Sequence, residues 1–323
     1  MIRLNVYCGL GNQMFAYAFA RAISEEFNDK DIYINPYFSF FVNLFTDRKA
    51  IKRSNRLGCF CLNRNVKVMP AYKGIPLAII DFIDFVLHSF FTKVTAKSFD
   101  RLSQNGNYIL TDPFAMQYFK HSDISSKNKK IKGCFVSEKY FQNIKSIILK
   151  EFQLTKEPSK DNKKVIDEIK SCNAVCVHIR RGDFLISGYS SYYSVCNFEY
   201  YQNGMKYIFE HTDNPVFYIF SNTSDDIKWI KDNMYFDYPV KYVDLNNPDY
   251  EELRLMSCCK HFVISNSTFS WWASYLSTNN NKMIVVPDVW LGTKPDKRYK
   301  DGKYDDVYRE DMIKIHVNLE DNK

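Results

Sequence analysis

The stretch Cys258-Cys259-Lys260-His261-Phe262-Val263-Ile264-Ser265-Asn266-Ser267-Thr268-Phe269-Ser270-Trp271-Trp272 decides the fold class. An apolar run rich in β-branched and aromatic residues predicts a strand over 261–265, and the small hydroxyl residues after it predict a helix over 268–277. A helix that opens directly from a strand end points the N–H groups of Thr268 and Phe269 outward, where the helix dipole favours negative charge. Ser267 is also an ordinary helix cap. Two readings therefore stand together: a cradle for a phosphate, or a capped helix packed by two tryptophans.

Working outward, Asn173-Ala174-Val175-Cys176-Val177-His178-Ile179-Arg180-Arg181-Gly182-Asp183 reads as a buried strand that abruptly becomes ionic. Period-two alternation puts His178 and Arg180 on one face and Arg181 on the other. A guanidinium fork suits a pyrophosphate, because it donates parallel charged hydrogen bonds and keeps its proton. The competing reading is an internal salt bridge between an arginine and Asp183.

Around these two motifs the pattern alternates regularly. Helices are predicted over 163–171, 198–211, 224–233 and 249–259, with strands over 173–179, 215–221, 240–243 and 283–286. Such alternation implies a parallel sheet covered on both faces, with ligands bound beyond the carboxyl ends of its strands. Lys156–Lys164 is the predicted linker, and Ser122–Lys132, polar and lysine-rich, a predicted surface loop.

At the amino end, Ile2–Tyr7 predicts a strand, Gly9-Leu10-Gly11-Asn12-Gln13 a sharp turn, and Met14, Phe15, Ala18, Phe19, Ala22 and Ile23 the apolar stripe of a helix. A dinucleotide fingerprint is excluded, since Met14 replaces the third glycine and no acid ends a second strand at the required distance. Gly11, Asn12 and Gln13 are expected to let the backbone approach a ligand and to offer amide groups to sugar hydroxyls. A tight turn with an Asn cap is the alternative.

Taken in order, Gly-Leu-Gly-Asn-Gln-Met-Phe near the start, His-Ile-Arg-Arg-Gly-Asp in the middle and Ser-Asn-Ser-Thr-Phe-Ser-Trp-Trp late make the chain resemble the bacterial alpha-1,2-fucosyltransferases. Tyr218–Asn222 followed by Trp229, and Glu251–Ser257 ahead of Cys259-Lys260-His261, are similar to further blocks of that family. The chain departs from it at Cys8, where members usually carry glycine, and residues 36–130 match no block. The resemblance implies an α/β fold of two Rossmann-like lobes, the GT-B type of glycosyltransferase, with a parallel sheet in the C-terminal lobe. Residues 1–155 are then the acceptor-side α/β domain and 156–323 the GDP-fucose-binding α/β domain.

It also implies transfer of L-fucose, with inversion, from GDP-β-L-fucose to the 2-hydroxyl of a terminal galactose. The acceptor is a glycan, free or lipid-linked. Arg180 and the Thr268 and Phe269 amides, beside Ser267, would hold the diphosphate leaving group without a metal or other cofactor. His178 would touch the nucleoside or brace Arg180, and Arg181 would also line the substrate site. Guanine presents N–H donors and asks for a carboxylate, Glu252 first and Asp244 second; each could equally be a solvated acid. Asp183 is the candidate base, or else it orients Arg181. Asn12 and Gln13 would meet the acceptor or fucose. A nonenzymatic nucleotide- or glycan-binding protein, or a transferase using another nucleotide sugar, is the alternative.

Composition fits these expectations. The 323 residues are long for one core, and 44 Lys and Arg against 37 Asp and Glu give a net charge of +7. That balance suits an anionic nucleotide or membrane surface, while the scattered basic residues and lack of a recognition module exclude nucleic acid as the expected partner. Nine cysteines, an odd number without a C-x-x-C pair, read as reduced core residues of a cytoplasmic protein. With no signal peptide expected, the sequons at Asn222 and Asn266 read as coincidences. The only obvious D-x-D string, Asp29-Lys30-Asp31, falls in a predicted turn and is not expected to bind metal. Leu77–Phe91 is too short and too interrupted to span a bilayer. It reads as an amphipathic helix, either packed on its own domain or resting on the inner face of a membrane.

Overall fold

The computed structural model describes residues 1–29, 31–44, 54–91, 95–110, 114–122, 128–182, 196–291 and 305–317. The chain divides into two compact units, Met1–Thr155 with Pro295–Arg309, and Lys156–Lys294 with Glu310–Lys323. Residues 305–309 group with the first unit, where Asp306 accepts hydrogen bonds from the Tyr118 amide at 2.8 Å and from Lys139.

The first unit runs β1 (Ile2–Asn5), α1 (Leu10–Glu26), β2 (Ile32–Asn35), α2 (Phe38–Leu44), β3 (Val66–Val68), α3 (Ala71–Phe91), α4 (Ala96–Gln104), β4 (Asn107–Leu110), β5 (Lys129–Gly133) and α5 (Lys145–Glu151). Its five strands form one all-parallel sheet in the order β3-β2-β1-β5-β4. Helix α1 is buried almost all round: Phe19 stacks on Phe135 and meets Tyr108 and Tyr140 edge-on.

The predicted loop over Ser122–Lys132 is corrected, because its end is β5, a strand inside the sheet that pairs with β1 and β4. Buried lysines are rare in such strands unless paired, and Lys129 and Lys132 are paired. Lys129 reaches Asp29, while Lys132, fully buried, reaches Asp84 and lies 3.6 Å from Asp81. Asp81 of α3 also accepts two hydrogen bonds from Arg3, at 2.7 and 2.8 Å, and one from Asn5 at 2.9 Å. Burial alone would raise the Asp81 carboxyl, but Arg3, Lys132 and Asn5 outweigh it and hold its pKa below the usual value. Asp29 is likewise committed to Lys129 and the terminal ammonium.

The second unit runs α6 (Lys160–Ser171), β6 (Asn173–His178), α7 (Phe198–His211), β7 (Pro215–Phe220), α8 (Ser224–Asn233), β8 (Val240–Tyr242), α9 (Asp249–Ser257), β9 (His261–Ile264), α10 (Thr268–Leu276), β10 (Ile284–Pro287) and β11 (Met312–Ile315). The predicted linker Lys156–Lys164 is shortened, because Ser159 caps α6 by accepting from the Asn162 amide at 3.2 Å. All six strands are parallel, in the order β11-β10-β9-β6-β7-β8. Relabelled from β6, this is the doubly wound order 3-2-1-4-5-6, whose direction reverses between β6 and β9.

Alternation along β6 divides its side chains between two cores. Val175, Val177 and Ile179 pack with Tyr200, Met205 and Ile208 of α7 and with Ile227 and Ile230 of α8. The intervening residues face the other layer, where α9 packs on both α10 and α6. All nine cysteines carry thiols. Among the described residues, no helix is long and apolar enough to cross a membrane.

Candidate functional site

Strands β6 and β9 end level with one another, His178 opposite Ile264 in the register. This is the reversal point of the sheet, where neighbouring connections leave in opposite directions and open a crevice beyond the strand ends. The Ser265 amide donates to the His178 carbonyl at 3.2 Å, and the Ser265 hydroxyl meets His178 Nδ1 at 3.1 Å. The two motifs, nearly ninety positions apart in the chain, are thereby joined.

His178 is fully buried. Desolvation first and the Arg180 charge second push its pKa down to about 3, so its imidazole is neutral through the physiological range. Phe269 stands over it, ring centroids 6.0 Å apart. Arg180, two residues further along the same face, is half-buried at the strand's exit. Across the crevice, α10 starts at Thr268 with Ser267 at the cap position. The Ser267 side chain makes no capping hydrogen bond, which departs from the ordinary cap that its residue type suggests. Thr268 and Phe269 are half-exposed, whereas Trp271 and Trp272 are fully buried and pack edge-on at 5.1 Å, holding the helix against its layer. A strand that runs out into Arg180 and a helix that starts at Thr268 are thus joined through His178, Ser265 and Phe269 at the same end of the sheet; a guanidinium and a helix amino terminus are the groups that receive an anionic phosphate ester.

Arg181 goes to the opposite side. Its guanidinium carbon lies 3.2 Å from the ring centroid of Trp229 on α8, and burial lowers its pKa against the pull of Asp226. In this structure the cation, expected to line the substrate site, braces α8 against the turn after β6. The next residue, Gly182, has φ +33°, and a Cβ there would stand 2.5 Å from Asn222 Nδ2. Its amide donates to Asp226 at 3.3 Å. Glycine is required at this position because the chain turns where a side chain would strike its neighbour. Asp183 lies outside the described residues.

The carboxylate candidates follow β8, two strands from β6, or about 10 Å across the sheet. Asp244 is exposed and accepts from Ser224 at 2.6 Å. Glu252, in the first turn of α9, accepts from Asn247 at 3.1 Å. Its burial, chiefly, and the nearby Asp244 charge raise its pKa to about 7, while Asn247 works in the other direction. A carboxyl poised at that value ionises readily when N–H donors reach it.

At the amino end of the chain, Gly11, Asn12 and Gln13 sit inside the first turn of α1 and not in a loop before it. Gln13 is buried, donates to the carbonyls of Cys8 at 3.0 Å and Ser54 at 2.8 Å, and accepts from the Arg56 amide at 2.9 Å. In this structure the amide, expected to meet a sugar, staples two loops. Gly11 is buried and Asn12 half-exposed. The sequon residue Asn266 is buried and donates to the Trp290 carbonyl at 2.9 Å.

Sequence reasoning passed over Ser265 as the partner of His178, and Asp226 and Asn222 as neighbours of the Gly182 turn. The signal for Asp226 lay in Thr223-Ser224-Asp225-Asp226, a cap followed by acids in the first turn. Ser265 carried no local signal, because its partner is on another strand.

With this geometry in view, two proteins of Escherichia coli are similar over 88% of the chain. One is an O-antigen biosynthesis glycosyltransferase, WbnK, 28% identical over 308 residues and matched over 92% of its own length. The other is an alpha-1,2-colitosyltransferase, 29% identical over 286 residues and matched over 90% of its length. Among solved structures, the alpha-1,6-fucosyltransferase NodZ of Bradyrhizobium, co-crystallized with GDP, aligns over 84% of this chain and 91% of its own, at 12% identity and a TM-score of 0.47. POFUT1 in complex with GDP-fucose aligns over 88% and 97%, at 10% identity and a TM-score of 0.44. The family model described as glycosyl transferase family 11 matches residues 1–316, and the chain belongs to that family.

Proposed function

We propose that this glycosyltransferase moves L-fucose from GDP-β-L-fucose to the 2-hydroxyl of a terminal galactose on a surface polysaccharide or oligosaccharide. The observation that carries the reading is the joining of the His178 strand end to Ser265, ahead of α10, at the reversal point of the second sheet, which supports Arg180 and the start of α10 as the diphosphate site. In the reaction, the bond from the anomeric carbon to the diphosphate oxygen breaks, its electron pair leaving with GDP, as the sugar becomes oxocarbenium-like; the galactose 2-oxygen bonds to the same carbon and its hydroxyl proton passes to a base, for which Asp183 is the candidate. A β-linked donor giving an α-linked product requires inversion. Arg180 and the Thr268 and Phe269 amides are preorganised where negative charge builds on the departing diphosphate, a role that needs no divalent ion. Neutral His178, fixed by Ser265, keeps a second positive charge from competing with Arg180. Glu252, with Asp244 beside it, is the acceptor for guanine N–H groups, and their ionic contact would draw its pKa down on binding.

A second donor is favoured by one observation, the relative named alpha-1,2-colitosyltransferase. Colitose is L-fucose lacking the 3-hydroxyl, so the two donors test a single polar contact. The purified protein, treated with EDTA, is incubated with GDP-fucose or GDP-colitose and a panel of galactose-terminated glycans, and the product linkage is read by NMR. Fucosyl transfer to the galactose 2-hydroxyl is expected. Transfer of colitose alone would move the assignment to that donor. GDP binding without GDP release across the panel would mark a nonenzymatic binding protein, and inhibition by EDTA that magnesium reverses would remove the metal-independent mechanism.

A further inference from the structure

Helix α3 is built inside out. Its two acids sit on or beside its inward face: Asp81 is fully buried against Arg3, Asn5 and Lys132, and Asp84, at the flank, is held by Lys132. Ala78 and Phe85 share the inward side, where Phe85 meets Tyr7 and Phe38 edge-on. The outward side is apolar: Tyr72, Ile75, Ile79, Ile80, Ile83 and Leu87 are all exposed, Ile80 at 58%, Ile83 at 54% and Leu87 at 52%. Spacings of three and four place them along one stripe, and Phe40 and Leu44 of α2, which packs on α3, are exposed as well. Isolated exposed apolar residues are normal on a protein surface, but a continuous stripe is not.

The charge on this helix selects the occupant. Its surface carries the exposed Lys73, while Asp81 is buried against the sheet and Asp84, half-exposed at the flank, is neutralised by Lys132. Helix α4, next in sequence, exposes Lys97 and Arg101, and the chain as a whole carries +7. A bilayer with anionic headgroups supplies both an apolar layer for the isoleucines and negative charge for the lysine. With no membrane-spanning helix among the described residues, the geometry fits a helix lying in the plane of the interface.

We propose that α3, with the exposed end of α2, docks the protein on an anionic membrane surface. The test is flotation of the full-length protein with vesicles of phosphatidylcholine alone and of phosphatidylcholine with phosphatidylglycerol. It is repeated for Ile80→Ser/Ile83→Ser and for Lys73→Glu, with melting temperature and oligomeric state recorded for each. These side chains contribute little to the core, so both variants are expected to melt with the wild type. The wild type is expected to float with anionic vesicles at least tenfold more than with neutral ones, the double variant to lose that binding, and Lys73→Glu to weaken it severalfold. The proposal is overturned by equal binding to both vesicles, by undiminished binding of a folded double variant, or by a wild-type dimer that fails to float and that the double variant turns into a monomer.

Discussion

Strands β1 and β6 each open their own parallel sheet, and each runs at a place where strand order reverses, yet their carboxyl ends are finished differently. After β1 the polar residue facing the turn is Gln13, whose amide is taken up by Cys8, Ser54 and Arg56. After β6 the chain leaves through Arg180, beside a buried neutral histidine and a helix start whose cap residue does not cap it. Topology alone therefore does not make a ligand site. What a reversal point does depends on the chemistry of the polar groups gathered there: a neutral amide committed to backbone groups makes a structural joint, whereas a guanidinium beside a helix start offers charge that suits an anion.

The largest effect expected from this contrast is at Arg180. Arg180→Lys keeps the charge and removes the planar fork, so kcat should fall by roughly 10²-fold or more while the melting temperature stays near that of the wild type. Gln13→Ala should do the reverse. It leaves two carbonyls and an amide without their partner, which costs about 2 kcal/mol of stability, and turnover per folded molecule should hold. Steady-state kinetics and calorimetry on both variants check the pair. A folded Gln13→Ala enzyme with collapsed turnover, or a fully active Arg180→Lys, would invert the comparison.

How far each region could be read in advance has the same physical basis. Helices α7 and α8 begin and end where the sequence puts them, because Asn197 and Thr223 are local caps whose side chains bond amides three residues on. The order of elements in the second unit was equally legible, since parallel strands buried on both faces are continuous apolar runs. Strand β5 was not, because Lys129 and Lys132 look like solvent-exposed residues until Asp29 and Asp84, on distant parts of the chain, are brought to them. Helix α3 was legible over 77–91 as an amphipathic helix, but not which face it buries, because it turns Asp81 inward against the pattern from which burial is usually inferred. In the site, Arg180 and the α10 start were visible as motifs. The Ser265–His178 pairing, the turning of Arg181 onto Trp229 and the use of Gln13 within its own unit were not, since each depends on a partner on another element.

A smaller effect should sharpen the ligand side of the comparison. If Glu252 accepts guanine N–H groups it must be ionised, and below its pKa of about 7 binding has to expel a proton first. GDP affinity should therefore tighten about tenfold from pH 6 to pH 8 and then level off. Glu252→Gln should weaken GDP by about the same factor at pH 8 and flatten the profile. Titration calorimetry in buffers of different ionisation enthalpy would detect the released proton; a flat wild-type profile would remove Glu252 from the nucleotide site. Stability carries the opposite sign. The folded protein holds a proton that the unfolded chain gives up near the ordinary value of 4.5, so this group lowers stability as pH rises from there toward 7.

The smallest effect lies on the structural side, at Cys8. Its φ is +66°, a left-handed conformation that costs a residue with a β-carbon roughly 1–2 kcal/mol. The strain is held in place by Gln13, which bonds the Cys8 carbonyl and so fixes the path of the turn. Cys8→Gly removes the steric cost and adds about 0.5–1 kcal/mol of unfolded-chain entropy to be overcome, leaving a net gain of about 0.5–1 kcal/mol. The melting temperature should rise slightly, with kcat unchanged. Cys8→Ala separates strain from thiol chemistry, because alanine keeps the β-carbon and loses only the sulfur. If alanine stabilises the protein as much as glycine, the thiol and not the backbone is the source of the difference. If neither does, the turn after β1 tolerates its conformation without cost, and Gln13 is no longer needed to explain why it persists.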